Sequence, residues 1–225
     1  MTENTQTTLI QAIRQSAMGL AIFAFFTAGI IAMTQAFTAE QISQNEQNFE
    51  ARQLLSLLPE GFEADQLLNS AEPLGAKNLQ RIDLLNVEPD QPFFTARNSA
   101  GAVEAILLPV IAPEGYTEAI RLIVGVNANG EVIGSRITKH KETPGLGDQV
   151  EITKSDWILA FNGKSLTNPT EERWLVKKDG GDFDQLTGAT ITPRAVVKAV
   201  KQALEFYQLN QDVLLGNTTE QGADL

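Results

Sequence analysis

Two stretches of this chain carry residues whose types and spacing could do chemistry. The second in chain order is Asp184-Gln-Leu-Thr-Gly-Ala-Thr-Ile-Thr192, which leads into a stretch of helical periodicity. Thr187-Gly188-Ala189-Thr190 sets hydroxyls and small side chains just ahead of a helix N-terminus. Gly188 lets backbone approach a ligand closely. Free N–H groups and the positive end of the helix dipole suit a phosphate there. The same pattern also suits an ordinary capped helix start with a glycine turn, and the residues alone leave both readings open. The other stretch is His140-Lys-Glu-Thr-Pro-Gly-Leu-Gly-Asp148. Pro144-Gly145-Leu146-Gly147 predicts a tight turn that presents a leucine. Glu142 and Thr143 could hydrogen-bond the polar edge of a ring, and His140 could act as acid, base or donor near neutral pH. A long loop with its polar groups satisfied internally is the competing reading.

Composition narrows the chemistry. The chain of 225 residues has no cysteine and one histidine. Thiolate metal sites, iron–sulfur clusters, disulfides, cysteine nucleophiles and multi-histidine metal sites are thereby excluded, and no metal site is expected. If such a protein moves electrons, it needs an organic cofactor. No nucleophile–base–acid set can be assembled from spacing, and Gly-rich nucleotide fingerprints of the P-loop or Rossmann type are absent. The net charge of −11 comes from 17 basic and 28 acidic residues. It argues against nucleic acid or an anionic membrane surface as the main partner. Glu3 and Arg14 are the charged residues of the first 39 and cancel, so the acidity belongs to the rest of the chain.

The elements that must position the two stretches can be read coarsely. From Gln15 to Ala39 there is no charge, and Ala17 to Ala36 is mostly apolar. Twenty helical residues span roughly 30 Å, the thickness of a bilayer core. Phe23, Phe25 and Phe26 would face lipid or a neighbouring helix. Thr34-Gln-Ala36 before Phe37 is like a signal cleavage site. The 14-residue lead with one arginine and the length of the apolar run favour an uncleaved anchor instead. Flanking charges say little about its orientation. The helix is expected to continue through 37–60, with Ile42, Phe49, Leu54, Leu57 and Leu58 as a rough stripe, and to end at Pro59-Glu-Gly61. Residues 61–100 read as a mixed α/β lead-in.

Strands follow. Phe93–Ala96 and Val103–Ile111 are apolar runs bounded by Gly and Pro. Ile120, Leu122, Val124 and Val126 alternate with period two, then comes Asn127-Ala-Asn-Gly130 and a partner strand over 131–138, a hairpin signal. Asp156–Phe161 reads as a short helix, and Arg173–Lys178 as a further strand stopped by Asp179-Gly-Gly181. Val196, Val200, Ala203, Leu204 and Tyr207 share one face of an amphipathic helix. Pro193 stands in its first turn, where a missing N–H costs nothing, and Thr192 is the expected N-cap. Residues 211–225 read as a polar tail. The fold class is α+β: an antiparallel sheet with packed helices on a single N-terminal membrane helix.

At this point the residues resemble a known family. Asp184-x-x-Thr-Gly-Ala-Thr190 is similar to the Asp-x-x-(Ser/Thr)-Gly-Ala-Thr signature of proteins that carry covalently linked FMN. In these proteins a flavin transferase of the ApbE type joins the FMN phosphate to the last threonine by a phosphoester. The stretch 140–148 resembles the second hallmark of the same proteins. Lys154-Ser-Asp-Trp157 and the run Asp179-Gly-Gly-Asp-Phe-Asp-Gln-Leu-Thr-Gly-Ala-Thr-Ile-Thr-Pro-Arg194 resemble one branch, the G subunit of the Rnf (Rsx) type of ion-translocating electron transport complex. Thr187 stands where many members have Ser. The C subunit of the sodium-translocating NADH:quinone reductase is a relative that shares Gly-Ala-Thr and Glu-Thr-Pro-Gly. It is usually longer and fits less well at Lys141 and the Asp-Gly-Gly run.

The resemblance implies a short cytoplasmic segment 1–16, a membrane helix 17–36, and an FMN-binding domain 101–210 on the periplasmic side of the bacterial inner membrane. It implies FMN on Thr190, with Thr187, Gly188, Ala189 and Thr192 about the phosphate. Glu142, Thr143, Leu146 and His140 would lie near the flavin, and Asp184 would serve transferase recognition or loop geometry. The implied role is a one-flavin relay among the other subunits of a complex that couples electron transfer between NADH and ferredoxin-like carriers to ion transport, without independent catalysis. The competing readings are the sodium-pump C subunit, a membrane scaffold whose Thr190 is never modified, and a free-standing periplasmic flavin reductase.

Overall fold

Alternation between apolar and other residues in 120–126 puts Ile120, Leu122, Val124 and Val126 on one face of a strand, and all four are buried. The computed structural model describes residues 3–58 and 62–217. Its strands are β1 (Glu72–Pro73), β2 (Pro92–Arg97), β3 (Val103–Ala112), β4 (Ile120–Asn127) and β5 (Val132–Lys139). They form one antiparallel meander in the order β1-β2-β3-β4-β5. Its helices are α1 (Glu3–Leu55), α2 (Ala64–Asn69) and α3 (Ile191–Leu215). The fold is α+β, as expected. The sheet runs through the boundary drawn at residues 100 and 101, so β2 of the lead-in and β3 of the binding domain are neighbouring strands.

The β4–β5 turn is made by Asn127, whose Oδ1 accepts from the N–H groups of Asn129 (2.9 Å) and Glu131 (3.0 Å). Gly130 there has φ of +82°, a value glycine adopts without strain. β3 reads in sequence as an almost unbroken apolar run because both of its faces are covered. Ile106, Leu108 and Val110 join the face of the sheet that packs on Val196, Val200, Ala203, Leu204 and Tyr207 of α3. Leu107 and Ala105 join the opposite face, with Ile123, Ala96, Leu67 of α2, Leu54 of α1 and Leu57 in the turn just after it.

The chain divides into two units, residues 1–48 and 49–225. Within the first, Gln11–Ala39 of α1 is the one helical stretch among the described residues long and apolar enough to cross a membrane. Phe23, Phe25 and Phe26 are exposed on it. Its threonine hydroxyls donate to carbonyls one turn back, Thr27 to Phe23 (2.9 Å) and Thr34 to Ile30 (2.9 Å). They therefore need no water, which an apolar bilayer core lacks.

Several sequence expectations are corrected. α1 ends at Leu55, so Leu57 and Leu58 lie in the turns that follow rather than on a helical stripe. The side chains of Ile42 and Phe49 and the stop at 59–61 lie outside the described residues. Asp156–Phe161 is a short helix, as expected, of the 3-10 kind, started by Ser155, whose Oγ accepts from the Trp157 N–H (3.2 Å). Arg173–Lys178 is not a strand. Its alternation is real, with Trp174 and Val176 buried and Leu175 exposed, but the segment folds back on 181–183 instead of joining the sheet. Lys177 N–H donates to Phe183 O (2.7 Å) and Phe183 N–H to Leu175 O (3.2 Å). Gly181 makes this possible, because a Cβ there would lie 1.8 Å from Leu175 O. The apolar partners are aromatic: ring centroids of Phe161 and Trp174 lie 4.8 and 4.9 Å from that of Phe183. α3 continues to Leu215, with Leu214 buried, so the first residues of the expected polar tail are helical. Residues 218–225 lie outside the described ones.

Candidate functional site

The last turn before α3 is closed by the Ala189 N–H donating to Leu186 O (3.1 Å), with Gly188 at φ +78°. Such a positive angle at the third turn position selects glycine. Thr190 follows with φ −91° and ψ −29°, and it, not Thr192, is the N-cap of α3. Its side chain makes no capping hydrogen bond. The N–H groups of Thr190, Ile191 and Thr192 stand ahead of the first intrahelical bond, and Pro193 has none. Half-buried Thr190 thus holds its hydroxyl beside a cluster of amides that a negatively charged group could use.

The stretch 140–148 packs directly onto this turn. Thr143 O accepts from the Leu146 N–H (3.1 Å), forming the tight turn that presents Leu146. A Cβ on Gly188 would sit 2.8 Å from Leu146 Cδ2, and one on Gly147 would sit 2.6 Å from Glu142 Oε2 and 2.9 Å from Thr192 Oγ1. Glycine at both places lets the two stretches meet. Glu142 is 5% exposed, and both its carboxylate oxygens are used. Oε2 accepts from the Thr192 hydroxyl (2.5 Å), and Oε1 accepts from the Thr117 N–H (3.2 Å). One carboxylate thereby ties the loop to the first turn of α3 and to the β3–β4 connection. Residue pairs fifty positions apart in sequence are joined by this bond.

The result is a cleft of about 520 Å³, within the roughly 300–1,000 Å³ that cofactor-sized sites occupy. Thr190, Gly188, Ala189 and Thr192 wall one side, and Glu142, Thr143 and Leu146 the other. Seven of the residues singled out from sequence are thus brought together. Three are not in the lining. Thr187 is exposed on the turn. His140 spends both ring nitrogens within its own loop: Nδ1 accepts from the Glu142 N–H (2.9 Å), and Nε2 contacts Glu151 Oε1 (2.5 Å). The Asp184 carboxylate is exposed and paired with Lys177 (2.5 Å), while its carbonyl accepts from the Trp157 indole N–H (2.7 Å). Sequence reading missed Gly147, Ile191 and Tyr116, which also line the cleft. Tyr116 had a signal, since it is an aromatic residue in the turn-forming run Pro113-Glu-Gly-Tyr116.

Outside the cleft, Arg194 forks onto Asp179 (Nε–Oδ2 2.5 Å, Nη2–Oδ1 2.7 Å) and fastens the first turn of α3 to the preceding loop. The hydrogen bond from Arg194 holds the Asp179 carboxyl below its ordinary range, and the same bond raises the guanidinium.

Residues 115–205 match the FMN-binding domain, and residues 1–57 match the RnfG N-terminal region. The G subunit of the ion-translocating oxidoreductase complex of Vibrio atlanticus is 43% identical over 216 residues, covering 96% of this chain and 100% of its own. The corresponding G subunit of Pseudomonas aeruginosa is 44% identical over 201 residues, 89% of this chain and 91% of its own. This chain belongs to the family of G subunits of ion-translocating oxidoreductase complexes. The crystal structure of Shewanella oneidensis NqrC is also similar, with a TM-score of 0.47 and 22% identity over 69% of this chain and 74% of that one. Every residue of the cleft lies inside the stretch that matches the FMN-binding domain. As a member of this family the chain is a flavoprotein of FMN, and the cleft fits that group: small residues at the points of close approach, amides for a phosphate, and a leucine wall for a ring.

Proposed function

We propose that the cleft holds FMN by a phosphoester to Thr190 Oγ1, and that through it the chain relays electrons within a membrane complex coupling NADH and ferredoxin-like carriers to ion transport. The observation that carries the attachment is the state of Thr190: it is the N-cap residue of α3, lines the cleft, and leaves its hydroxyl out of the cap. Of the two hydroxyls in the lining on that side, Thr192 is already committed to Glu142. The amides at the start of α3 would take the phosphate oxygens, and the dipole end would favour their charge. Leu146 would cover part of the ring. Bound FMN supplies reversible one- and two-electron chemistry; the chain supplies position and electrostatics. A flavin held outside the cytoplasm is hard to replace once lost, so a covalent tether has a motive on the periplasmic side of the inner membrane. In this reading an ApbE-type flavin transferase makes the link, Asp184 and its turn present Thr190 to it, and the 11–39 helix anchors the chain among the other subunits.

The test is direct. The full chain, co-expressed with a flavin transferase in a secretory host, should run as a flavin-fluorescent band on a denaturing gel. Thr190→Val should run dark with an unchanged melting temperature, since valine keeps the shape of threonine. A dark wild-type band beside a fluorescent control protein would favour the scaffold reading. A bright Thr190→Val band would move the attachment elsewhere.

A further inference from the structure

Tyr116 is 66% exposed, yet the loop that carries it is fastened on three sides. Glu114 pairs with Lys198 of α3 (2.5 Å), the Thr117 N–H donates to Glu142 (3.2 Å), and Glu118 pairs with Lys141 (2.8 Å). Gly115 closes the bend, since a Cβ there would lie 2.0 Å from Glu118 O. The ring itself takes no part in any hydrogen bond or ring contact among the described residues, and it is the one aromatic side chain in the cleft lining, which it shares with the 41%-exposed Leu146 and with Thr190. Exposing a large aromatic surface to water is unfavourable, and holding its backbone still adds entropy cost. A ring held this way over a cleft that also presents a bare leucine is suited to a flat, apolar, π-bearing ligand. Aromatic pairs gain beyond area burial when offset-stacked.

We infer that Tyr116 is a flavin-contacting residue, stacking on the isoalloxazine ring of the FMN tethered at Thr190, with Leu146 as the aliphatic contact. This rests on the FMN reading above. The ties at Glu114, Thr117 and Glu118 serve to hold the tyrosine ring at the cleft, and Glu142, which joins Thr117 to Thr192, sets both the tyrosine and the tethering helix turn from one carboxylate. Because tyrosine can quench an excited flavin in contact with it, the inference has an optical signature independent of turnover.

The experiment uses full-length protein co-expressed with the transferase, in wild-type, Tyr116→Phe and Tyr116→Leu forms. Intact mass is read first. All three should carry one FMN, since stacking follows attachment. Fluorescence per bound flavin in the folded state should then rise several-fold in Tyr116→Leu, and its flavin absorption band should shift. Tyr116→Phe should keep the wild-type band position, because the stack remains, while fluorescence rises. Unfolding should bring all three to one common yield. A loaded Tyr116→Leu protein with wild-type fluorescence and absorption would overturn the inference and leave Thr190 standing, and would assign the exposed ring to a partner protein of the complex. A folded Tyr116→Leu protein that is never loaded would also overturn it, since the ring would then act in transferase recognition. Absence of FMN from the wild type would remove the reading beneath it.

Discussion

Replacing Thr192 with valine removes the donor to Glu142 Oε2 and leaves a buried carboxylate oxygen unsatisfied. An orphaned buried group of this kind costs about 1–3 kcal/mol, so Thr192→Val should lower stability by that amount in denaturant titration. A neutral result would mean that Glu142 finds another donor. Gly147→Ala should cost about 1–3 kcal/mol through overpacking, because the new methyl meets Glu142 on one side and Thr192 on the other; a melting curve like that of the wild type would show that the loop can back away. Tyr207 offers the contrast. Its hydroxyl has no hydrogen-bond partner among the described residues, and burial pushes its ionisation up to about 12. Tyr207→Phe should therefore hold or gain stability at neutral pH. These residue-level facts differ in legibility. Thr190, Gly188 and Leu146 stand in motifs and could be named in advance. The Glu142–Thr192 bond could not, because no local pattern marks a contact fifty residues apart. Glu142 reads in sequence as a ligand contact, and the structure adds a bracing role that the sequence did not show while keeping the residue in the cleft wall.

Among the elements, α3 does the most to set the site, and its first turn is held by the Arg194–Asp179 fork as well as by Thr192. The sign of the pH dependence follows from the direction of the shift. The folded Asp179 carboxyl is held below its ordinary 3.8, so its stabilising effect is present above that value and is lost as pH falls through the lower folded one. Asp179→Asn should lower the melting temperature slightly near neutral pH, and the gap to the wild type should narrow and close as pH falls through the lowered folded value. Both groups are exposed, so the effect should be small and should shrink in salt. A gap that persisted in acid would mean that the asparagine disturbs the turn rather than the charge. The hairpin of β4 and β5 was legible because period two and Asn127-Ala-Asn-Gly130 agree. The segment 173–183 was not, because burial of Trp174 and Val176 imitates a strand while the backbone bonds are closed locally around Gly181.

For the molecule as a whole, the division at residues 48 and 49 and the burial of Leu54 and Leu57 against the sheet predict where it can be cut. A fragment of residues 49–225 should be soluble and melt cooperatively. One beginning at residue 62 would bare Leu107, Ile123 and Leu67, and should melt lower and aggregate. Equal melting of the two fragments would show that the end of α1 adds nothing to the core. The long apolar helix and the sheet with its last helix were legible from hydropathy and periodicity. The layer that Leu54 of α1 and Leu57 of the following turn form on the back of the sheet was not, because both read as the continuation of a helical stripe. The central claim concerns one oxygen atom of this molecule. Trypsin should release residues 179–194 as one peptide that contains Thr187, Thr190 and Thr192. Fragmentation mass spectrometry of that peptide, from full-length protein made with the transferase, should find the mass of FMN less one water on Thr190. Finding it on Thr187 or Thr192, or finding the peptide unmodified beside a loaded control protein, would contradict the account.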